Sequence, residues 1–380
     1  MNSGSSVKPK VLDGAQAHAA VVDGRDVIML AANNYLGLTN HPKVIRAVKA
    51  ALDRYGAGLG CNRGLVSMRL QLDLEERIAK FKKTEASLVF PTGYDTNLGA
   101  IWALTGDDSV LVCDELNHAS VFDAAKMSRV SLKVYGHGDM RSLERKLKGL
   151  KDEKRVFVVT PSIFPLEGDI ARLPEIVELA ERYSATVYVD DAHAVGVLGR
   201  TGAGSVEHFG LEGKVEIQAG TLSKALASVG GYIAGSSDLR QYLFKKARPF
   251  SQSTGHLAPP SAAAVIACLD ILETDHSLVE RLWKNAGYFR EGLVELGFDT
   301  GRSETPIIPV LLGSSSTSIE FSKKLFEEGI FTQPFIYPAV PEGKARLRTI
   351  VAATHTKPEL DRALQAFDKV GRQLHDLNGA

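Results

Sequence analysis

Helical and strand signals alternate along most of this chain, and that alternation constrains the fold more than any other feature. Residues 42–55 (PKVIRAVKAALDRY) place Val44, Ile45, Val48, Ala51, Leu52 and Tyr55 on one side at helical spacing, with Pro42 suited to a first turn. The pattern repeats over residues 173–183. Between such stretches fall short apolar runs at 88–90, 110–113, 156–159, 187–189 and 231–234, with a further strand candidate at 215–219. Near-continuous runs this short suit strands buried on both faces of a mostly parallel sheet, expected across about residues 80–235. After Leu257-Ala258-Pro259-Pro260 come helical stretches at 262–272 and 278–296, then strand candidates at 307–311 and 346–352. The expected class is α/β: an N-terminal segment (1–40), a large domain (41–275) around the sheet, and a smaller α+β C-terminal domain (276–380).

Length supports that division. A chain of 380 residues, 44% hydrophobic and 24% charged, can bury a large core. Lys+Arg and Asp+Glu balance at 45 each, which gives no basic surface for nucleic acid and no default attraction to an anionic membrane. Cys61, Cys113 and Cys268 lie far apart, so neither a disulfide framework nor a zinc site is expected, and a reducing compartment fits. The polar start MNSGSSVKPK lacks a signal peptide's apolar core, and no run of roughly 18–20 apolar residues spans a membrane. The composition is that of a cytoplasmic α/β enzyme.

In parallel sheets chemistry gathers beyond the carboxyl ends of the strands. Three segments fall there: Asp114 and His118 after one strand, Asp190 to His193 after another, and Lys224 after a third. Gly56-Ala57-Gly58-Leu59-Gly60 does not: it follows a helix rather than a strand, so a dinucleotide loop is excluded and a flexible connection is expected. In VYVDDAHAVGVLG, Asp190 and His193 stand three apart after an apolar strand. A metal pair there would need third and fourth ligands, and none has a recognisable spacing nearby. Tuning of a bound organic cofactor is the better reading. In GTLSKALASVGGYIAG, Lys224 sits among Gly220, Thr221, Ser223 and Ala225. A lysine of depressed pKa condenses with carbonyls, and neighbouring hydroxyls suit a phosphate. On this segment alone a solvated lysine after a turn is an equal reading.

The order of the motifs decides between them. FPTGYDTNLG, DELNHAS, VDDAH and the lysine of TLSK, 34 positions after Asp190, follow one another as in the fold-type I pyridoxal phosphate (PLP) enzymes of the α-oxoamine synthase family, which the chain resembles over about residues 11–356. The resemblance implies that Lys224 forms the Schiff base with PLP and moves the substrate's α-proton. It implies that Asp190 pairs with the pyridine nitrogen, His193 donates to the phenolate oxygen, and His118 stacks on the ring. Gly93, Tyr94 and Thr221 would hold the phosphate. Ser253 and Thr254 would reach the phosphate of a partner subunit, making an obligate homodimer with shared sites. Asn33 in AANNYLGL and Arg348 in GKARLRT would hold the amino acid carboxylate, for which a planar guanidinium is apt. Tyr35 is a further candidate beside them, although an aromatic at a strand end is often just packing. The implied partners are an amino acid and an acyl thioester, on CoA or an acyl carrier protein. They would condense to an α-aminoketone, with decarboxylation in most of the family.

The chain departs from the family pattern at three places. TPSIFPLEGD carries Pro165 where relatives have a serine near the cofactor, and Pro161 where an acid is common. CNRGLVSMRLQLDLE is one residue short and has Gln71 in place of a histidine. The segment ahead of AANNYLGL is short, which would open the acyl channel to a carrier-bound donor. A different PLP reaction on the same fold, transamination or a lyase cleavage, uses the same Asp190 and Lys224. A non-catalytic scaffold is the remaining alternative.

Overall fold

The computed structural model describes residues 9–150, 155–254 and 256–378, with side chains as far as 374. Its N-terminal stretch forms three short strands, β1 (Leu12–Asp13), β2 (Ala19–Val22) and β3 (Arg25–Met29). The main sheet follows: β4 (Ala86–Phe90), β5 (Ser109–Asp114), β6 (Ser131–Tyr135), β7 (Arg155–Pro161), β8 (Thr186–Asp190), β9 (Ile217–Thr221) and β10 (Gly231–Gly235). The last strands are β11 (Ile307–Gly313), β12 (Ile330–Phe331), β13 (Gln333–Phe335) and β14 (Ala345–Ile350). The first four α-helices are α1 (Pro42–Tyr55), α2 (Arg69–Phe81), α3 (Gly93–Leu104) and α4 (Ala119–Ser128).

The main sheet runs in the order β4-β10-β9-β8-β7-β5-β6, parallel except for β10, which is antiparallel to both neighbours. Its residues alternate between two cores. Val110, Val112, Val156, Val158, Val187 and Val189 pack with helices Met140–Lys148 and Leu173–Arg182. Leu111, Cys113, Phe157, Val159 and Tyr188 pack with α3 and α4 on the opposite face. Each fully buried Val or Leu stabilises by about 1.5–3 kcal/mol, which is why the strands read as continuous apolar runs. A three-stranded sheet, β11-β14-β13, and helices Ser277–Glu295, Ser315–Glu327 and Lys357–Asn378 enclose a separate core around Phe289, Val310, Leu347 and Phe367.

Several details differ from expectation. The strand anticipated at 215–219 runs over Ile217–Thr221, because its register is set by pairing Thr221 with Gly231. β6 was hidden by its edge position and mostly exposed residues. The N-terminal stretch is sheet, and β3 pairs in parallel with β12, which lies about 300 residues later. Along α1, Val44 and Ala51 are buried, yet Ile45 and Leu52 are 38% and 41% exposed. The apolar side of this helix is wider than the surface that covers it. Among the described residues no helix is long and apolar enough to cross a membrane.

Candidate active site

The carboxyl ends of β4, β5, β8 and β9 open on one edge of the main sheet, and most of the sequence-identified residues stand there. Lys224 lies in the bend after β9. Burial, followed by the positive charge of Arg348, lowers its pKa to about 8, against the opposing pull of Asp190. Asp190 closes β8, and its carboxylate is tightly held: Oδ1 accepts from the Ala192 N–H (2.9 Å) and Oδ2 from Asn97 Nδ2 (2.8 Å). His193, one turn on, brings Nδ1 to 2.7 Å from the hydroxyl of buried Tyr35. Burial, then the charges of Lys224, Arg348 and His118, hold the His193 pKa well below its usual value, so this imidazole is neutral. A neutral imidazole has one N–H and one acceptor nitrogen, so the role that Nδ1 takes towards Tyr35 fixes the opposite role for Nε2.

A network not visible in the motifs joins these groups. Asn97 lies one turn into α3, four residues after Gly93. Its Nδ2 also donates to Ser120 Oγ (3.0 Å), and its Oδ1 accepts from the Tyr188 hydroxyl (2.7 Å). Ser120 Oγ meets Nδ1 of His118 at 2.7 Å, and the Ser120 N–H also points to that nitrogen. His118 is the N-cap of α4, and its ring stands on the exposed side of this network. One amide therefore ties together the carboxylate of Asp190 and the ring of His118. The spacing Gly93–Asn97 within FPTGYDTNLG was the available signal. Behind Asp190, the next residue is anchored separately: Asp191 pairs with buried Lys82 (2.7 Å) and accepts from Ser205 Oγ (2.5 Å). Lys82, in FKKTEA, carried no sequence signal.

Thr92 caps α3 by accepting from the Asp95 N–H at 3.0 Å. The amides of Gly93 and Tyr94 lie in the first turn, where no intrahelical carbonyl reaches them and the helix dipole favours an anion. A Cβ on Gly93 would come within 3.0 Å of the Thr221 side chain, so only glycine leaves this cradle open. Thr221 Oγ1 and Ser223 Oγ lie 2.8 Å apart beside it. An anion-binding helix start, a lysine of lowered pKa, a fixed carboxylate and a neutral imidazole together fit PLP.

Across the site, Arg348 on β14 is buried, with its guanidinium 4.8 Å from the Phe335 ring centroid and Nη2 donating to Gln333 Oε1 at 3.1 Å. Its Nε and the Oδ1 of Asn33 are buried without hydrogen-bond partners. Burial pulls the Arg348 pKa down. Ser253 and Thr254 are not joined to this group by any hydrogen bond among the described residues. Their segment is instead tied to the preceding loop, where Asn62 Nδ2 donates to the carbonyls of Ser251 (3.1 Å) and Ser253 (2.9 Å). Gln71 spans the start of α2 and donates to the Leu257 carbonyl at 2.8 Å, a structural role. Pro165 sits in the segment that meets the small sheet, where Arg346 donates to the Leu166 carbonyl and to Glu167.

Known proteins place this arrangement. The family model for aminotransferase class I and II matches residues 25–367. The 8-amino-7-oxononanoate synthase of Thermoanaerobacter pseudethanolicus is 50% identical over 97% of this chain and 93% of its own length. 8-Amino-7-oxononanoate synthase 1 of Bacillus subtilis is 45% identical over 97% and 94%. A serine palmitoyltransferase variant from S. paucimobilis, solved with PLP and myriocin bound, superposes with a TM-score of 0.93 at 31% identity, covering 97% of this chain and 93% of the other. The chain therefore belongs to the aminotransferase class I and II family and, within it, to the α-oxoamine synthases, as a PLP-dependent C-acyltransferase that condenses an amino acid with an acyl thioester.

Proposed function

We propose that the amino acid is alanine and the acyl donor is a pimeloyl thioester, giving 8-amino-7-oxononanoate. The product named for the relatives dictates both reactants. Its amine-bearing carbon and terminal methyl are those of alanine after loss of the carboxylate. The remaining carbons, from ketone to acid, are a seven-carbon dicarboxylic acyl group. A carbon–carbon bond forms between the alanine Cα and the thioester carbonyl carbon, the thiol leaves, and carbon dioxide departs from the β-keto acid so formed.

The side chains support a division of labour. PLP, when bound, supplies an electron sink for the negative charge that develops at the amino acid's Cα. Lys224 would hold the cofactor's aldehyde carbon, Asp190 its ring nitrogen, His193 its phenolic oxygen and His118 its face. The first-turn amides of Gly93 and Tyr94, with the Thr221 hydroxyl, would hold its phosphate. Lys224, with a pKa near 8, is a competent base for the α-proton once its amine is free. Asn33 and Arg348 would take the substrate carboxylate, and the unpartnered Nε of Arg348 supports that placement. The dimer belongs to the same reading: Ser253 and Thr254, remote from their own Lys224 in hydrogen bonding, would complete the partner subunit's phosphate site.

The single observation that carries the reading is the convergence of four groups on one edge of the sheet: Lys224 feels the charges of Asp190 and Arg348, and His193 those of Lys224 and Arg348. The test is thiol release from pimeloyl-CoA in the presence of each amino acid in turn. Alanine should give the highest kcat/KM, and no release with any amino acid or thioester would sink the proposal.

A further inference from the structure

We propose that a groove beside β13 seats the donor's acyl chain, with Lys323 holding its terminal carboxylate; this rests on the pimeloyl reading above. The groove, about 480 Å³, lies between helix Ser315–Glu327 and residues 331–334. Its apolar lining is Ala31, Ile319, Phe326, Phe331 and Pro334. That volume is in the range of small-molecule sites. Two of its lining residues border the candidate active site: Gln333, which accepts from Arg348 at 3.1 Å, and Ala31, two positions before Asn33.

Charge selects the occupant. Lys10, at the rim, lies over the Phe326 ring and is already paired with Asp23 at 2.8 Å. Lys323 is exposed and makes no ion pair among the described residues. Of the two lysines that line the groove, Lys323 is thus the uncommitted one; Lys324 lies on the adjoining surface and Glu320 and Glu327 flank them on the same helix, so the groove lacks the basic cluster that the phosphates of CoA would need. A chain of methylenes ending in a single carboxylate matches an apolar trough with one lysine at its mouth. Each methylene buried there raises affinity about fourfold. A thioester of the same length without the terminal carboxylate would fill the trough and leave Lys323 unused.

The test compares pimeloyl-CoA with heptanoyl-CoA on the PLP-loaded enzyme at saturating alanine. Lys323→Glu should lower kcat/KM for pimeloyl-CoA about tenfold through KM, the scale of reversing one exposed charge contact, and leave heptanoyl-CoA unchanged. Ile319→Trp, which narrows the trough, should raise KM for both thioesters while alanine binding, followed by the cofactor's absorbance, stays the same. A pimeloyl-to-heptanoyl ratio unmoved by Lys323→Glu overturns the assignment. Equal losses for both thioesters, with weakened inhibition by free CoA, place the carrier in the groove and overturn it equally. Should wild-type enzyme release no thiol from pimeloyl-CoA with alanine, the functional reading and this one fall together. Thiol release with an unmoved ratio removes the groove alone.

Discussion

Asn97 is the side chain whose loss should be felt most widely in the cofactor half of the site. It supplies a charge-assisted hydrogen bond to Asp190 and a bridge to Ser120 and His118, while Tyr188 donates to its carbonyl. A hydrogen bond to a charged group contributes about 1.5–3 kcal/mol, so Asn97→Ala should weaken PLP binding by roughly tenfold or more. Fluorescence titration of the apoprotein measures this directly, and an unchanged dissociation constant would remove Asn97 from any positioning role. Lys224 yields a second prediction. Only a neutral amine attacks an aldehyde, so the rate at which apoprotein captures PLP should rise with pH to a midpoint near 8. Capture that keeps accelerating to an ordinary lysine's pKa, about 10.4, would mean that the pocket does not tune this amine. Lys224, Asp190, His193 and His118 could be named from the sequence because each sits in a contiguous motif. Asn97 and Tyr188 lie inside two of those motifs, but their partners stand on other elements, as does that of Lys82, and residue order carries little of such pairing.

Elements tell the same story in their boundaries. Strands buried on both faces declared themselves as apolar runs, and α1 was legible to the residue. β6 was not, because an edge strand with polar outward positions looks like a loop. The N-terminal strands were missed because what stabilises them is β12, far along the chain. At the ends of β5 and β6, His137 lies between Asp114 (3.3 Å) and Asp169 (3.0 Å). Burial disfavours its charge, but hydrogen bonds to the two carboxylates outweigh that and raise its pKa to about 10. A raised folded-state pKa stabilises fully below the unfolded value of about 6.5, and that stability is lost as pH climbs through about 10. His137→Gln should thus cost on the order of 2 kcal/mol near pH 6, with the gap to wild type closing towards pH 10. Urea melts across that range measure it, and a gap that widened with pH would refute the assignment.

For the whole molecule, the question is whether one chain holds a complete site. Exposed apolar side chains crowd one stretch: Ile45 and Leu52 on α1, and Leu65 and Val66 on the loop after it, 86% and 52% exposed. Asn62, in that same loop, braces the segment of Ser253 and Thr254. This is the surface that the proposed dimer would cover. Thr254→Asp should then block cofactor loading by repelling phosphate, and Lys224→Ala should block reaction. Mixed after subunit exchange, the two inactive variants should recover up to about a quarter of wild-type activity, since hybrid dimers carry one intact site. No recovery, with hybrids shown to form, would mean that each chain serves only itself.

The pairing of β3 with β12 also sets an order of assembly. Every proposed cofactor contact within one chain falls between residues 93 and 224, on elements that pack against each other. Asn33 follows β3, whose partner strand is synthesised about 300 residues later, and Arg348 comes later still. During synthesis from the N-terminus, the cofactor half can fold while the substrate half lacks its second edge. The nascent chain acquires the means to hold a vitamin-derived group before it acquires the means to choose a substrate.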